Sequence, residues 1–146
     1  METMRLSVNE PFISPAFESN FVIFSGDTGE AVPEAEVKEY LSKACRYAKH
    51  YGVFLVPERF RLSGYHSLCL ITPEGKILGA QKAVFRNPEN RNDKRSTKLE
   101  IFPTTYGSVF LCVDVDIYQP ELPRLAASMG GRYIIASQSI RQGDYD

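Results

Sequence analysis

The stretch SVFLCVDVDIYQPELPR, residues 108–124, contains the features that decide the fold. Its first half is an apolar run around Cys112, which is typical of a buried strand. The second half brings Pro120 and a glutamate ahead of an apolar run, which is typical of a helix start. Because side chains alternate along a strand, Cys112 and Asp114 share one face. The stretch therefore predicts a strand followed by a helix, with a thiol and a carboxylate near the end of the strand.

Strands and helices continue outward from this stretch in both directions. A long helix is predicted to begin at Pro33, because acidic residues fill its first turn, basic residues its last turn, and Gly52 follows. Pro73 and Gly75 predict a tight hairpin turn. The remaining segments are predicted as strands at 21–24, 53–57 and 133–137, hairpins at 67–85 and 99–114, a helix at 119–131, and loops at 58–66 and 86–98.

This order of elements predicts an α/β protein in which mixed sheets are covered by amphipathic helices. The 146 residues, 43% of them hydrophobic, suit one core, so we expect a single domain over 1–146. Residues 1–20 carry two prolines and little periodicity, and we expect an irregular N-terminal arm there. Residues 139–146 are expected to form a polar tail.

Composition excludes several classes of partner. The 17 basic and 18 acidic residues leave a formal net charge of -1, so no overall field favours nucleic acid or a membrane surface. No segment approaches the ~20 apolar residues of a membrane span. The three cysteines fit no metal-ligand spacing and lie in apolar runs, which indicates buried thiols in a reducing compartment. We therefore expect a cytoplasmic protein with no metal and no cofactor.

Three motifs in order carry a resemblance to a known family: LITPEGKILG (70–79), TTYGSVFLCVD (104–114) and DIYQPELPRLAASMGG (116–131). Together they resemble the nitrilase superfamily of carbon-nitrogen hydrolases, and the resemblance spans residues 20–138. It implies a nitrilase-like α-β-β-α sandwich, with two mixed sheets flanked by helices. Compared with that family, the sandwich is expected to be incomplete at both ends.

Members of this family use a glutamate, a lysine and a cysteine. The carboxylate accepts the thiol proton, the thiolate attacks an amide or nitrile carbon, and the ammonium stabilises the developing negative charge. The resemblance places Gly26 at the glutamate position, Ala83 at the lysine position and Asp114 at the cysteine position. Lys82 is one residue early and Cys112 is two residues upstream. The resemblance therefore predicts a degenerate protein without carbon-nitrogen hydrolase activity.

Cys112 itself leaves two interpretations open. It is either a buried core thiol or a displaced nucleophile that works with Lys82. In the second case the chain is an active amidase-type hydrolase, with Glu30, Glu58 or Glu89 recruited as the base. A third possibility is a gene fragment without a function of its own.

The remaining polar residues carry weaker expectations. Asp114 is either a loop carboxylate or part of the lining of a vestigial pocket, and Asp116 is expected to be structural, near the amides at the start of the next helix. His66 stands without a second ligand and predicts no metal site. An incomplete sandwich exposes sheet edges, so we expect a homo-oligomer or a completing protein partner. A small amide-like ligand is the expected small-molecule partner.

Overall fold

The computed structural model describes residues 3–26, 30–85, 94–113, 116 and 118–137. In these ranges the chain forms nine strands and two helices. In chain order they are β1 (Leu6–Asn9), β2 (Phe21–Phe24), α1 (Glu34–Tyr51), β3 (Phe54–Val56), β4 (Phe60–Leu62), β5 (Tyr65–Ile71), β6 (Ile77–Lys82), β7 (Ile101–Phe102), β8 (Val109–Val113), α2 (Glu121–Ser128) and β9 (Tyr133–Ser137).

The strands form two sheets. In the first sheet β1, β2 and β3 run parallel, and β5 pairs antiparallel with β3, β4 and β6. In the second sheet β8 pairs antiparallel with β7 and parallel with β9. Helix α2 makes the crossover between the parallel strands β8 and β9, as parallel pairing requires. The predicted mixture of parallel and antiparallel strands is confirmed.

Three apolar clusters hold the layers together. One lies between the two sheets and includes Phe54, Leu68 and Leu111. A second packs α1 on the first sheet, and a third packs α2 on the second sheet. Successive residues of β5 and of β8 belong to different clusters, because a strand sends alternate side chains to opposite faces. The layers are therefore helix, sheet, sheet and helix, which confirms the predicted α-β-β-α sandwich.

Helix α1 begins one residue later than predicted and ends where predicted. Pro33 precedes its first residue, and Glu34 and Glu36 lie in the first turn, where a negative charge favours the helix dipole. Gly52 follows the last residue with a left-handed φ of 63°, and its N–H donates to the carbonyls of the last turn. The predicted hairpins around Gly75 and around residues 104–107 are also present, although β7 has only two residues.

The N-terminal arm is more ordered than the sequence predicts. Residues 6–9 form β1, which pairs with β2, so the expectation of an irregular arm is wrong for this segment. Ser7 is buried in this strand, whereas Leu6 and Val8 are exposed. The usual relation between hydrophobicity and burial is inverted here, which removed the pattern that identifies a strand.

The predicted loop at 58–66 is also wrong. It contains β4 and the start of β5, joined by a two-residue turn at Ser63 and Gly64. Both turn residues have positive φ, 53° and 85°, as the tight turns that match strand twist require. The Ser-Gly pair is a common turn dipeptide, but the charged or polar residues on both sides of it hid the two strands.

Candidate functional site

In the first sheet, the positions matched to the family's catalytic residues lie at one edge, the one formed by the carboxyl ends of β2, β3 and β6. Strands β2 and β3 are parallel, so the residues that follow them, Gly26 and Glu58, come to the same edge. Strand β5 runs antiparallel to both β3 and β6, so β6 ends at that edge as well and brings Ala83 there. Carboxyl ends of parallel strands are the usual place for ligand sites in α/β proteins.

Asp116 links the second sheet to this edge. Its carboxylate is 1% exposed and accepts hydrogen bonds from the backbone N–H groups of Val84 and Phe85, both at 2.8 Å. We expected Asp116 near the amides of the following helix, but its carboxylate binds amides of the segment after β6 instead. Asp116 is thereby fixed beside the end of β6. Asp114, matched to the nucleophile, and Glu89 lie outside the described residues.

Gly26 lies against a carboxylate that the chain supplies from another strand. A Cβ atom at position 26 would collide with Oε2 of Glu58. The other carboxylate oxygen of Glu58 accepts a hydrogen bond of 3.0 Å from the Tyr40 hydroxyl. That hydroxyl in turn accepts a bond of 2.9 Å from the backbone N–H of Glu58. Glycine at position 26 therefore leaves room for the Glu58 carboxylate, which α1 holds in place.

Tyr40 is suited to hold a carboxylate. Burial, above all, raises the pKa of its hydroxyl above the ordinary value for tyrosine, and the neighbouring charge of Glu58 adds to the rise. The hydroxyl therefore stays protonated at neutral pH and donates a hydrogen bond to the Glu58 carboxylate. This pairing connects the middle of α1 with the loop after β3.

Ala83 and Lys82 point in different directions. Ala83 is 5% exposed and packs in the cluster between the sheets, and its N–H donates to the carbonyl of His66 at 2.8 Å. Lys82 is exposed, and its Nζ lies 4.3 Å from the centre of the Tyr65 ring. The residue matched to the family lysine is therefore a core methyl group, and the neighbouring ammonium lies over an aromatic ring on the surface.

Cys112 lies beneath α2. It is 0% exposed and packs with Phe110, Leu122 and Ala126 in the cluster between the second sheet and this helix. Burial, and to a smaller extent the charge of Asp116, raises the pKa of its thiol to about 12. The thiol is therefore neutral at physiological pH.

The structure does not bring Cys112 and Lys82 together. The thiol faces α2 on the outer face of the second sheet, whereas the ammonium of Lys82 lies on Tyr65 of the first sheet. Of the three candidate bases, Glu30 and Glu58 line a cleft beside α1, and Glu89 is among the residues the structure does not describe. The groups that the displaced-nucleophile interpretation combines thus belong to different layers of the sandwich.

Two features of this edge were missed from the sequence. The first is a buried pair of basic residues, in which Nη1 of Arg59 lies 3.3 Å from Nε2 of His66. Because both residues fall in the segment predicted as a loop, nothing in the sequence indicated their burial. The second is a cleft of about 500 Å³ between the N-terminal arm and α1. It is lined by Phe12, Glu30, Ala31, Val32, Pro33, Glu36, Glu39, Tyr40, Lys43 and Glu58.

Over the described ranges, no group of three or more His, Cys, Asp or Glu side chains is arranged to hold a metal ion. Neither described helix is long and apolar enough to cross a membrane.

Comparison of the structure with solved structures gives clear matches, whereas no protein-family model and no curated protein matches the sequence. A carbon-nitrogen hydrolase from Helicobacter pylori superposes with a TM-score of 0.71 at 16% identity, covering 83% of this chain and 48% of that one. An amidase variant from Nesterenkonia sp., with the acetamide moiety of fluoroacetamide added covalently at its active-site cysteine, gives 0.68 at 16% identity. That match covers 82% of this chain and 52% of the amidase.

Another variant of the same amidase, in complex with butyramide, gives a TM-score of 0.68 at 16% identity and covers 82% of this chain and 52% of its own. The amidase is described as a nitrilase-superfamily protein. The chain spans about half the length of each of these structures.

Proposed function

We propose, from the premise that this chain has the fold of the nitrilase-superfamily amidases, that it is a degenerate form of that fold. In this proposal it binds a small molecule or another protein chain and does not hydrolyse carbon-nitrogen bonds. The fold is the basis for this proposal, and the side chains at the matched positions supply the argument against hydrolysis.

The burial of Ala83 is the observation that carries the proposal. Hydrolysis of an amide through a thiolate develops negative charge on the carbonyl oxygen, and a positioned cation or donor has to stabilise it. Ala83 offers a methyl group at the matched position, packed between the sheets. The ammonium of Lys82 lies over the Tyr65 ring, on the other face of the strand.

The thiol supports the same conclusion. A cysteine nucleophile has to lose its proton, and reactive cysteines have a pKa near or below neutrality. The Cys112 thiol has its pKa raised to about 12 and packs among apolar side chains under α2. At pH 7 only about one thiol in 10⁵ would carry the charge that attack requires.

An assay with simple amides tests the proposal. The protein is incubated with butyramide and, separately, with fluoroacetamide. We expect no ammonia release from butyramide and no added acetamide mass on the protein. The Cys112→Ser variant should behave identically. Ammonia release that disappears in Cys112→Ser would overturn the proposal.

An active amidase is the second candidate, and one observation favours it. Glu58 brings a carboxylate to the position beside Gly26, so a possible base is present at the edge. This candidate requires that Cys112 become accessible and that Lys82 or another cation lie beside it. Thiol labelling against pH separates the two functions. Reaction of Cys112 near neutral pH favours the amidase, whereas labelling only after denaturation favours the degenerate protein.

Self-association, or a protein partner that completes the sandwich, belongs to the same proposal. Leu6 and Val8 are exposed on β1, Leu125 on α2, Met129 directly after α2, and Ile134 on β9. Exposed apolar side chains beside sheet edges are favourable places for another chain to pack. Light scattering on the purified protein should give a mass of at least two chains, and a monodisperse monomer would contradict self-association.

A further inference from the structure

We infer that the cleft between α1, the N-terminal arm and the loop after β3 is a binding site for a small ligand that carries a protonated amino group. Glu58 is the carboxylate that anchors the amino group. The inference rests on the proposed function as a binding protein and gives the chemical class of one ligand. The cleft lies on the α1 side of the first sheet, whereas Ala83 faces the second sheet.

Glu58 has a fixed geometry in the cleft. The Tyr40 hydroxyl donates a hydrogen bond to its carboxylate and accepts one from its backbone N–H. The second carboxylate oxygen, Oε2, lies against Gly26. A carboxylate that is already oriented loses little conformational entropy when a ligand binds, so a short contact to it contributes more to affinity.

The lining of the cleft carries more carboxylates than cations. Glu36, Glu39 and Glu58 contribute three carboxylates to the lining, and the ammonium among the described lining residues is that of Lys43. Glu30 also lines the cleft and makes other interactions. An excess of carboxylates attracts a cation and repels an anion, and it does so most strongly at low salt.

Two aromatic rings form part of the cleft wall. The rings of Phe12 and Tyr40 lie edge to face in the cleft wall, with centres 5.5 Å apart. Nζ of Lys43 already lies 4.1 Å from the centre of the Phe12 ring, so an ammonium group fits against this wall. The alkyl part of an amine would pack on the same rings. The volume of about 500 Å³ is in the range of small-molecule sites.

Calorimetric titration of the whole protein with three matched probes tests the inference. The probes are butylammonium, butyramide and butyrate, which share a chain of the same length and differ in charge. We expect butylammonium to bind more tightly than butyramide and butyrate not to bind. Added sodium chloride should weaken the binding of butylammonium. Equal affinity for the three probes, or no measurable binding of butylammonium, would overturn the inference.

Variants localise the site. Glu58→Gln keeps the size and the acceptor of the Tyr40 hydrogen bond but removes the charge, and we expect it to weaken butylammonium binding about tenfold. Glu74→Gln, in the exposed β5–β6 turn, is the matched control and should bind as the wild type does. Circular dichroism spectra of both variants serve to check that they are folded. If Glu58→Gln and Glu74→Gln bind equally well, Glu58 is not the anchor.

Ammonia release from butyramide is measured in the same samples. Turnover of butyramide would contradict the proposed function and leave the amine site intact. Failure of butylammonium to bind would contradict the amine site and leave the proposed function intact. The two results therefore distinguish the failure of one idea from the failure of the other.

Discussion

Asp116 and Val84 are joined by a hydrogen bond of 2.8 Å, donated by the backbone N–H of Val84 to Oδ2 of the carboxylate. The N–H of Phe85 donates to Oδ1 at the same distance. One buried carboxylate therefore joins the segment after β8 to the segment after β6, and so connects the two sheets of the sandwich at one end.

Removing this carboxylate should destabilise the protein. Asp116→Ala leaves two partly buried N–H groups without their acceptor, and we expect a loss of about 2 kcal/mol in the free energy of unfolding. Urea unfolding followed by circular dichroism measures the loss. Glu74→Ala, on the surface, is the control and should change stability by less than about 0.5 kcal/mol. If the two variants unfold alike, the bonds of Asp116 contribute nothing to stability.

Stability should decrease at alkaline pH. Burial is the main cause that raises the pKa of Cys69 and Cys112 from 9.0 to about 12. Between these values the unfolded chain loses thiol protons that the folded chain keeps, so the free energy of unfolding decreases as pH rises. At about pH 10 each thiol should contribute a loss of roughly 1.4 kcal/mol relative to about pH 8.

Urea unfolding at these two pH values measures the dependence. Cys112→Ala should show a smaller decrease than the wild type, because one of the two thiols is gone. An equal decrease in both proteins would mean that Cys112 titrates normally in the folded state.

Gly26 and Glu58 should show coupled effects on stability. Gly26→Ala places a methyl group against the Glu58 carboxylate, and we expect a loss of about 1 kcal/mol. In a Glu58→Ala background the same change should be neutral or stabilise by about 0.5 kcal/mol, because alanine restricts the unfolded chain. The double-mutant cycle is measured by urea unfolding. Additive effects would contradict the contact.

Two substitutions in the β4–β5 turn should change the stability of the protein in opposite directions. Gly64→Ala forces a Cβ into a φ of 85° and should cost about 1 kcal/mol. Ser63→Asn places at a φ of 53° a residue that favours this conformation, and should stabilise by about 0.5 kcal/mol. Thermal unfolding midpoints should therefore move in opposite directions, and a shift of both in the same direction would contradict the turn geometry.

The two neighbours at the end of β6 should tolerate substitution differently. Ala83→Lys places an ammonium group in the core between the sheets, and we expect a loss of about 3 kcal/mol or more. Lys82→Ala removes a surface contact with Tyr65 and should cost less than about 1 kcal/mol. Urea unfolding of both variants gives the comparison. A stable Ala83→Lys protein would indicate a polar cavity beside Ala83.

The central strands and helix α1 could be predicted from the sequence because the local residue pattern there matches the burial of each residue in the fold. Strand β8 is buried on both faces, so every residue from Val109 to Val113 is apolar and the run is unmistakable. Helix α1 has charges of the expected sign in its first and last turns and Gly52 after its end. Local chemistry and packing agree at these elements, and agreement of this kind makes a pattern readable.

The elements that were missed lie where local pattern and packing disagree. In β1, Ser7 is buried and its hydroxyl donates to the side chain of Asn9, so a polar residue takes an inward position. The segment from Glu58 to His66 combines a charged, buried Arg59 with a tight turn, and its composition is that of a loop. No local rule shows that such polar residues find partners inside the fold.

The contacts at the candidate site could not be predicted from the sequence. The motifs placed Gly26 and Ala83 in the sequence, and the sheet pairings bring both to one edge. The approach of Glu58 to Gly26 depends on the parallel pairing of β2 with β3, and the bonds of Asp116 depend on how the sheets stack. These contacts join residues 31 or more positions apart, and a sequence pattern reports neighbours a few positions away.

The contact between Gly26 and Glu58 also gives substitutions at these two positions a preferred order. A side chain at position 26 reaches the volume that the Glu58 carboxylate now occupies, so the carboxylate has to turn away to admit it. Replacing Glu58 with a smaller residue opens that volume first. When the two positions are changed one at a time, the order Glu58 and then Gly26 is therefore the one that never places the two side chains against each other.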